Sequence, residues 1–168
     1  MNQKSLSHQE IEDLINQLNS EVGADCRAAR RQLADAGKAA EPMLLAALAH
    51  GDKHQRWEVI KVLEDLSDPE TASAIVRALE DESVSVRWAA MNALIGLDRA
   101  GLKPLFTALT QHLDSTWLRQ GAHHILHVLK DRGRLYPNEV EVFEALEGPA
   151  PDLRAPWAAE KVLLGKNA

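Results

Sequence analysis

Two leucine ladders with a common period constrain the fold of this chain more than any other feature of its sequence. Four leucines, spaced by 30, 31 and 30 residues, each end a first short apolar segment, and four more, spaced by 30, 31 and 32 residues, each end a second. The two ladders are Leu18, Leu48, Leu79 and Leu109, and Leu33, Leu63, Leu94 and Leu126. A repeat of this length is typical of solenoid arrays, in which a pair of helices buries its apolar face only against neighbouring pairs.

A fifth, more divergent copy closes the array. Residues 156–165 match residues 87–96 closely, and both segments contain Trp-Ala-Ala. Each ladder takes a step of 37 residues into this copy, to Leu146 and to Leu163. The longer step predicts an insertion of about six residues before copy five, and residues 130–137 are its predicted place.

Helix start signals agree with five helix pairs. Ser7 with Glu10, and Asn138 with Glu141, have the spacing of capping boxes. Together with the period of the apolar residues, such signals predict ten helices. The predicted helices are near residues 7–20, 25–36, 42–50, 54–66, 69–80, 84–97, 101–112, 115–131, 138–147 and 154–164.

The predicted fold class is all-α, as a short α-solenoid (α-α superhelix) of about five helix pairs. We expect one repeat domain over residues 1–168, with its first and last copies acting as caps. The repeats are expected near residues 7–38, 39–68, 69–98, 99–133 and 138–165. On the second helix of copy three, the predicted buried stripe is Ala90, Ala93, Leu94 and Leu97.

Composition excludes several classes of protein. The net charge of −6 disfavours general binding to nucleic acid, which depends on neutralising phosphates. The one cysteine, Cys26, cannot form an internal disulfide, which favours a reducing compartment. Because no apolar run has the length of a signal peptide or a transmembrane helix, we expect a cytoplasmic protein without membrane contact.

A specific repeat pattern is clearest in residues 81–94, where an acidic turn precedes a Val-Arg step and an Ala-x-x-Ala-Leu helix. In this pattern, over roughly residues 7–165, the chain resembles phycobilin-lyase-type HEAT repeats and small bacterial HEAT repeat proteins. The resemblance implies an α-solenoid whose second helices line a concave face. It implies a choice among bilin lyases, an iron-dependent hydroxylase, DNA glycosylases and scaffolds. The hydroxylases use His-Glu dipeptides as iron ligands, and this sequence contains none.

Tryptophans at one repeat position are the sharpest candidate for a binding surface. They are Trp57, Trp88 and Trp157, and copies one and four carry Arg27 and Gln120 in their place. One helical turn further come Arg31, Lys61, Asn92, His124 and Lys161. These residues predict aromatic plates beside cationic or amide groups along the implied groove, where tryptophan favours partner binding. The alternative is that the tryptophans only fill gaps between successive helices.

Several other residues are candidates either for a functional site or for a structural role. His123 and His127 are four residues apart on one predicted helix, so they could hold a metal such as zinc or form a polar edge of the groove. Cys26 is interpreted as a packing residue rather than a nucleophile, and Trp117 as a packing residue. The recurring arginines are predicted to bind a loop acid or a helix C-terminal carbonyl of the adjoining copy. They are Arg56, Arg87 and Arg119.

We therefore expect a non-catalytic scaffold or adaptor that binds another protein in a Trp-lined groove and carries no cofactor. The alternative is a bilin-lyase-like enzyme or a glycosylase-like nucleic-acid binder that uses the same groove. A third reading is an assembly role, in which copy five or the insertion at residues 130–137 forms a dimer.

Overall fold

Ten α-helices follow one another in residues 6–165, the part of the chain that the computed structural model describes, and no strand occurs there. The helices are α1 (His8–Gln17), α2 (Gly23–Ala36), α3 (Glu41–His50), α4 (Lys53–Leu66), α5 (Ala72–Arg77), α6 (Val84–Leu97), α7 (Leu102–Gln111), α8 (Thr116–Asp131), α9 (Pro137–Glu147) and α10 (Pro151–Leu163). The all-α class predicted from the sequence is confirmed, and each helix end lies within three residues of its predicted position.

Two helix starts show how the predicted caps compare with the structure. The box at α1 is confirmed, because the Glu10 amide donates to Ser7 Oγ at 3.2 Å and the Ser7 amide to Glu10 Oε2 at 2.7 Å. The box predicted at Asn138 is wrong. Pro137 is the first residue of α9, a position that suits its fixed φ angle. The start of α9 is capped instead by the Glu139 carboxylate, whose Oε2 accepts from the Tyr136 amide at 2.7 Å.

The described residues divide into two compact units, the first ending at Thr71 and the second beginning at Ala72. In the first unit, α2 packs against α1 and α4, and α3 packs against α4. All eight ladder leucines of the chain are buried, and so is the stripe predicted on α6. The apolar period therefore identified the core correctly, while the single domain predicted over residues 1–168 stays a prediction.

Copy five packs in the reverse order from the copies before it. In the second unit, α5 packs against α7 and α6 against α8, as expected for two successive helix pairs. The next pair exchanges its places, because α9 packs against α8 and α10 packs against α7. One layer of this unit therefore consists of α5, α7 and α10, and the other of α6, α8 and α9. None of the helices in the described part is long and apolar enough to cross a membrane.

Candidate partner-binding surface

The predicted surface residues Trp88 and His124 come together between α6 and α8. Their ring centroids are 5.0 Å apart, with 38° between the planes, and Trp88 remains 52% exposed. The rings form part of the wall of an open cleft of about 200 Å³. The cleft is lined by Leu79, Arg87, Trp88, Met91, Trp117, Gln120, Gly121 and His124. Three of the predicted residues, Trp88, Gln120 and His124, thus share one site, and the half-buried Asn92 lies one turn beyond Trp88 on α6.

The floor of the cleft depends on a glycine at a close approach. Gly121 of α8 is buried against Leu79, and a Cβ at this position would lie 3.1 Å from Leu79 Cδ2. With a side chain here, Leu79 would have to shift by a few tenths of an ångström, because packed interiors leave little free volume. The close approach lets Trp88 and His124 touch across the two helices.

Trp117 belongs to the cleft, although the sequence suggested that it only packs. The Trp117 side chain is 44% exposed, and the Arg87 guanidinium carbon lies 4.3 Å from the centroid of its ring. Stacking of this kind holds both groups in place. The helical spacing of Trp117, Gln120, Gly121 and His124 on α8 is the signal that could have shown this, since residues at i, i+3, i+4 and i+7 share one face.

The repeat arginines fix the turn that precedes their own helix. Arg56 donates to the Gly51 carbonyl at 2.9 Å, and Arg119 donates to the Leu113 carbonyl at 2.6 Å. Arg87 does the same through Asp81 O at 2.7 Å and Glu82 O at 3.1 Å. Binding to carbonyls was predicted, and these acceptors are in the same copy, five or six residues before each arginine. Pairing of the arginines with an acid of the adjoining copy stays a prediction.

The first unit carries the remaining predicted residues of copies one and two. Trp57 on α4 is half-buried, and its ring stacks on His54 with centroids 6.3 Å apart. Lys61, one turn further, forms an ion pair with Glu64. Arg27 and Arg31 are exposed on the neighbouring helix α2. These four residues therefore lie on two helices that pack against each other.

Trp157 and Lys161 do not share the surface of Trp88. Both are on α10, which packs against α7 and α9, whereas Trp88 faces α8 from α6. Trp157 is 63% exposed, and Lys161 Nζ lies 4.9 Å from the centroid of its ring and 3.0 Å from Glu141 Oε2. The single ladder predicted through Trp88 and Trp157 is thus interrupted, because the reversed packing of copy five moves α10 to the other layer. A binding role for Trp157 and Lys161 stays a prediction, and it would belong to a surface separate from the cleft of Trp88.

The paired histidines of α8 pack against α9. The His123 ring lies 5.2 Å from the Phe143 ring, and His127 Nδ1 lies 3.2 Å from Asp131 Oδ2. They belong to no group of three ligand atoms in residues 6–165. The one such group there is Glu41, Asp68 and Glu70, and the Lys38 ammonium lies 2.9 Å from Glu70 Oε2. These contacts favour the interpretation that His123 and His127 form a polar edge over the interpretation that they hold a metal.

Cys26 has the environment of a packing residue. It is buried in the first unit, and burial together with a hydrogen bond to Glu58 raises the pKa of its thiol to about 11. At neutral pH the group is therefore almost entirely a thiol, whereas nucleophilic and metal-binding chemistry need the thiolate. This agrees with the interpretation of Cys26 as a packing residue.

The environment of His124 predicts a loss of stability in acid. Burial, followed by the charges of His127 and His123, lowers the pKa of His124 below its ordinary value near 6.5. The unfolded chain then binds the proton more tightly, so stability falls as the pH drops through about 6.5 toward the folded value. We expect the melting temperature of a His124→Gln variant to change less between pH 7.5 and pH 5 than that of the wild type. His50→Gln, at an exposed histidine of α3, should keep the wild-type dependence, and an equal effect in both variants would contradict the assignment.

Comparison with known families gives one match. The sequence pattern of a family described as HEAT repeats matches residues 11–95 and, in an overlapping match, residues 41–130. Together the matches cover residues 11–130, more than two thirds of the chain. All residues that line the Trp88 cleft lie inside them, whereas the reversed pair α9 and α10 lies beyond. No curated protein matches the chain.

Proposed function

Because the chain belongs to the HEAT repeat family, we propose that it is a non-catalytic module that binds another protein in the cleft between α6 and α8. HEAT repeats commonly serve as protein-interaction scaffolds, and the family is typically non-enzymatic. The observation that carries the proposal is a pair of half-exposed tryptophans, Trp88 and Trp117, on the walls of one cleft. Tryptophan is the residue that most often concentrates binding energy at protein interfaces.

The exposed aromatic area is large enough to support binding. A Trp side chain presents up to roughly 250 Å², and about half of this area is still exposed at Trp88 and at Trp117. Covering that remainder at either residue is worth about 3 kcal/mol at 25 cal/mol per Å². Since association itself costs at least about 4 kcal/mol, the two rings together can support binding when neighbouring contacts add to them.

Charge narrows the chemistry of the proposed partner. The lining of the cleft contains the cation Arg87 and no carboxylate, while Leu79 and Met91 supply apolar contacts. Arg87 is held by two backbone carbonyls, which carry no formal charge. The cleft therefore suits a protein segment that presents an apolar side chain next to an aspartate or a glutamate.

The other predicted surface residues enter the proposal as further contacts. Arg27 and Arg31 are exposed on α2, and Trp57 and Lys61 are half-buried on α4. In the proposal they add a second aromatic and basic area within the first unit. We propose a cytoplasmic location. We also propose that the partner is a protein and not nucleic acid, because the net charge of the chain is −6.

The test compares tryptophans at different places of the fold. Protein that co-purifies with the tagged wild-type chain from its native cells is identified by mass spectrometry, and its affinity for each purified variant is then measured by calorimetry. We expect Trp88→Ala and Trp117→Ala each to weaken binding at least about tenfold. Trp157→Ala removes a more exposed tryptophan on the other layer and is expected to bind in the cleft like the wild type. Folding of every variant is checked by circular dichroism. Equal affinity of Trp88→Ala, Trp117→Ala and wild type would rule out the cleft as the binding site.

A further inference from the structure

A second open cavity, of about 370 Å³, lies between α5 and α7 in the second unit. It is in the layer formed by α5, α7 and α10, whereas the Trp88 cleft is in the layer of α6, α8 and α9. The cavity is therefore a separate feature that the proposed protein-binding cleft does not use. Its size is within the range of small-molecule sites, which is about 300–1,000 Å³.

The walls of the cavity carry two cations from different helices. Arg77 is on α5 and Lys103 is on α7, and both are exposed. Neither side chain forms a hydrogen bond or an ion pair with any residue in the part of the chain that the structure describes. Two cations that line one space repel each other, and an anion between them would remove this repulsion.

One acid lines the cavity beside these two cations. Glu80 is the one carboxylate among the lining residues, and its Oε2 lies 2.7 Å from His112 Nδ1. Glu80 ends the short turn that follows Arg77, whereas Lys103 is in the first turn of α7. Two cations against one carboxylate leave the lining with an excess of positive charge.

The rest of the lining suits a small organic group rather than a bare ion. Val76, Pro104 and Ala108 supply apolar surface between the two walls. The hydroxyl of Thr107 already donates to the Lys103 carbonyl at 2.9 Å, so its oxygen can only accept from a further group. Ser73, one turn before Arg77 on α5, has a hydroxyl that can donate to an anionic oxygen.

We propose that the cavity between α5 and α7 binds a small organic anion, with its carboxylate or phosphate between Arg77 and Lys103 and its hydrocarbon part against Val76, Pro104 and Ala108. Both kinds of oxyanion present several acceptor oxygens to guanidinium and ammonium donors. The proposal does not depend on the protein-binding role of the Trp88 cleft.

The test uses three probes of similar size that differ in charge: benzoate, phenyl phosphate and neutral benzamide. Each is titrated into the ¹⁵N-labelled full-length chain while amide chemical shifts are followed. We expect saturable shifts at α5 and α7 residues with at least one of the two anions, and at least about tenfold weaker binding of benzamide. Tighter binding of phenyl phosphate than of benzoate would assign the site to phosphate esters, and the reverse order to carboxylates.

Variants show whether the two cations are responsible. Arg77→Gln and Lys103→Gln should each weaken binding of the anion at least about fivefold, while Lys53→Gln, at an exposed lysine of α4, should bind like the wild type. Trp88→Ala should also bind the anion normally, because Trp88 is outside the cavity. Shifts that do not saturate, equal binding of benzamide, or unchanged affinity in both cation variants would overturn the proposal.

Discussion

Replacement of Arg99 by alanine is expected to lower the free energy of unfolding by about 3–5 kcal/mol, because it leaves a buried carboxylate without its cation. Arg99 binds Glu139 through two parallel hydrogen bonds of 2.7 and 2.8 Å, and Glu139 is only 5% exposed. The hydrogen bond to Glu139 also raises the pKa of Arg99 above its ordinary value. A loss of this size is a large part of the 5–15 kcal/mol by which domains are typically stable.

Arg99 has further contacts that increase the effect. Its guanidinium donates to the Arg134 carbonyl at 2.8 Å, and its central carbon lies 3.7 Å from the centroid of the Tyr136 ring. Glu139 in turn caps α9 by accepting from the Tyr136 amide. One side chain thus joins the turn between α6 and α7 to the start of α9.

A second ion pair supports the same junction. Arg134 Nε donates to Asp98 Oδ2 at 2.7 Å, and this bond lowers the pKa of Asp98 below its ordinary value. Asp98 has a φ angle of 54°, which L-residues rarely adopt, so the surrounding contacts must hold it there. The insertion at residues 130–137 is consequently fixed to its own chain, at the point where copy five exchanges its two helices.

Equilibrium unfolding in urea, followed by tryptophan fluorescence, measures the effect of Arg99→Ala. Arg132→Ala is the matched control, since it removes an exposed arginine from the same segment and should change the stability by less than about 0.5 kcal/mol. The double variant Arg99→Ala/Glu139→Ala should stay well below wild-type stability, because it also loses the cap of α9. A single variant within about 1 kcal/mol of the wild type would show that Glu139 finds other compensation.

The apolar period predicted the helices and the core because it is a local property repeated many times. Each ladder leucine is buried and lies within its helix or at most two residues beyond its end. The equivalence of positions across copies was enough to predict that Trp88 and His124 share one surface. The same equivalence failed for Trp157, although its segment matches that of Trp88 closely. Contacts that hold the start of α9, such as the bond from Arg99 to Glu139, span 40 residues and leave no period in the sequence.

The buried polar cluster of the first unit was not predictable for the same reason. Glu58 directly follows Trp57 and has no distinctive neighbours in sequence, yet it is buried because α2 packs over this side of α4. Its partners Arg30 and Cys26 are on α2, about one helical repeat earlier. Only the contact between the two helices identifies these three residues as one cluster.

Removal of the Arg30 cation from this cluster is expected to lower the stability of the first unit strongly. Unlike the double variant of Arg99 and Glu139, a double variant of Arg30 and Glu58 should regain most of the lost stability. Arg30 Nε lies 3.1 Å from Glu58 Oε2, but neither atom has a well-aligned hydrogen bond within the described residues. Arg30→Met should cost about 3–5 kcal/mol, because Glu58 keeps its buried charge without a cation. Arg30→Met/Glu58→Leu should recover most of that loss, since apolar side chains of similar volume replace such a pair at little cost.

The reaction rate of the Cys26 thiol measures how often the first unit opens in these variants. It is the only cysteine of the chain, it is buried, and it contacts the same cluster, so a thiol reagent can reach it only when the first unit opens. A loss of about 3 kcal/mol in Arg30→Met corresponds to an opening that is about a hundredfold more frequent, and the reaction should accelerate accordingly. In Arg30→Met/Glu58→Leu the rate should return toward that of the wild type. A double variant that reacts as fast as Arg30→Met would mean that α2 and α4 need the ion pair itself, and not only an apolar filling of its volume, to stay packed.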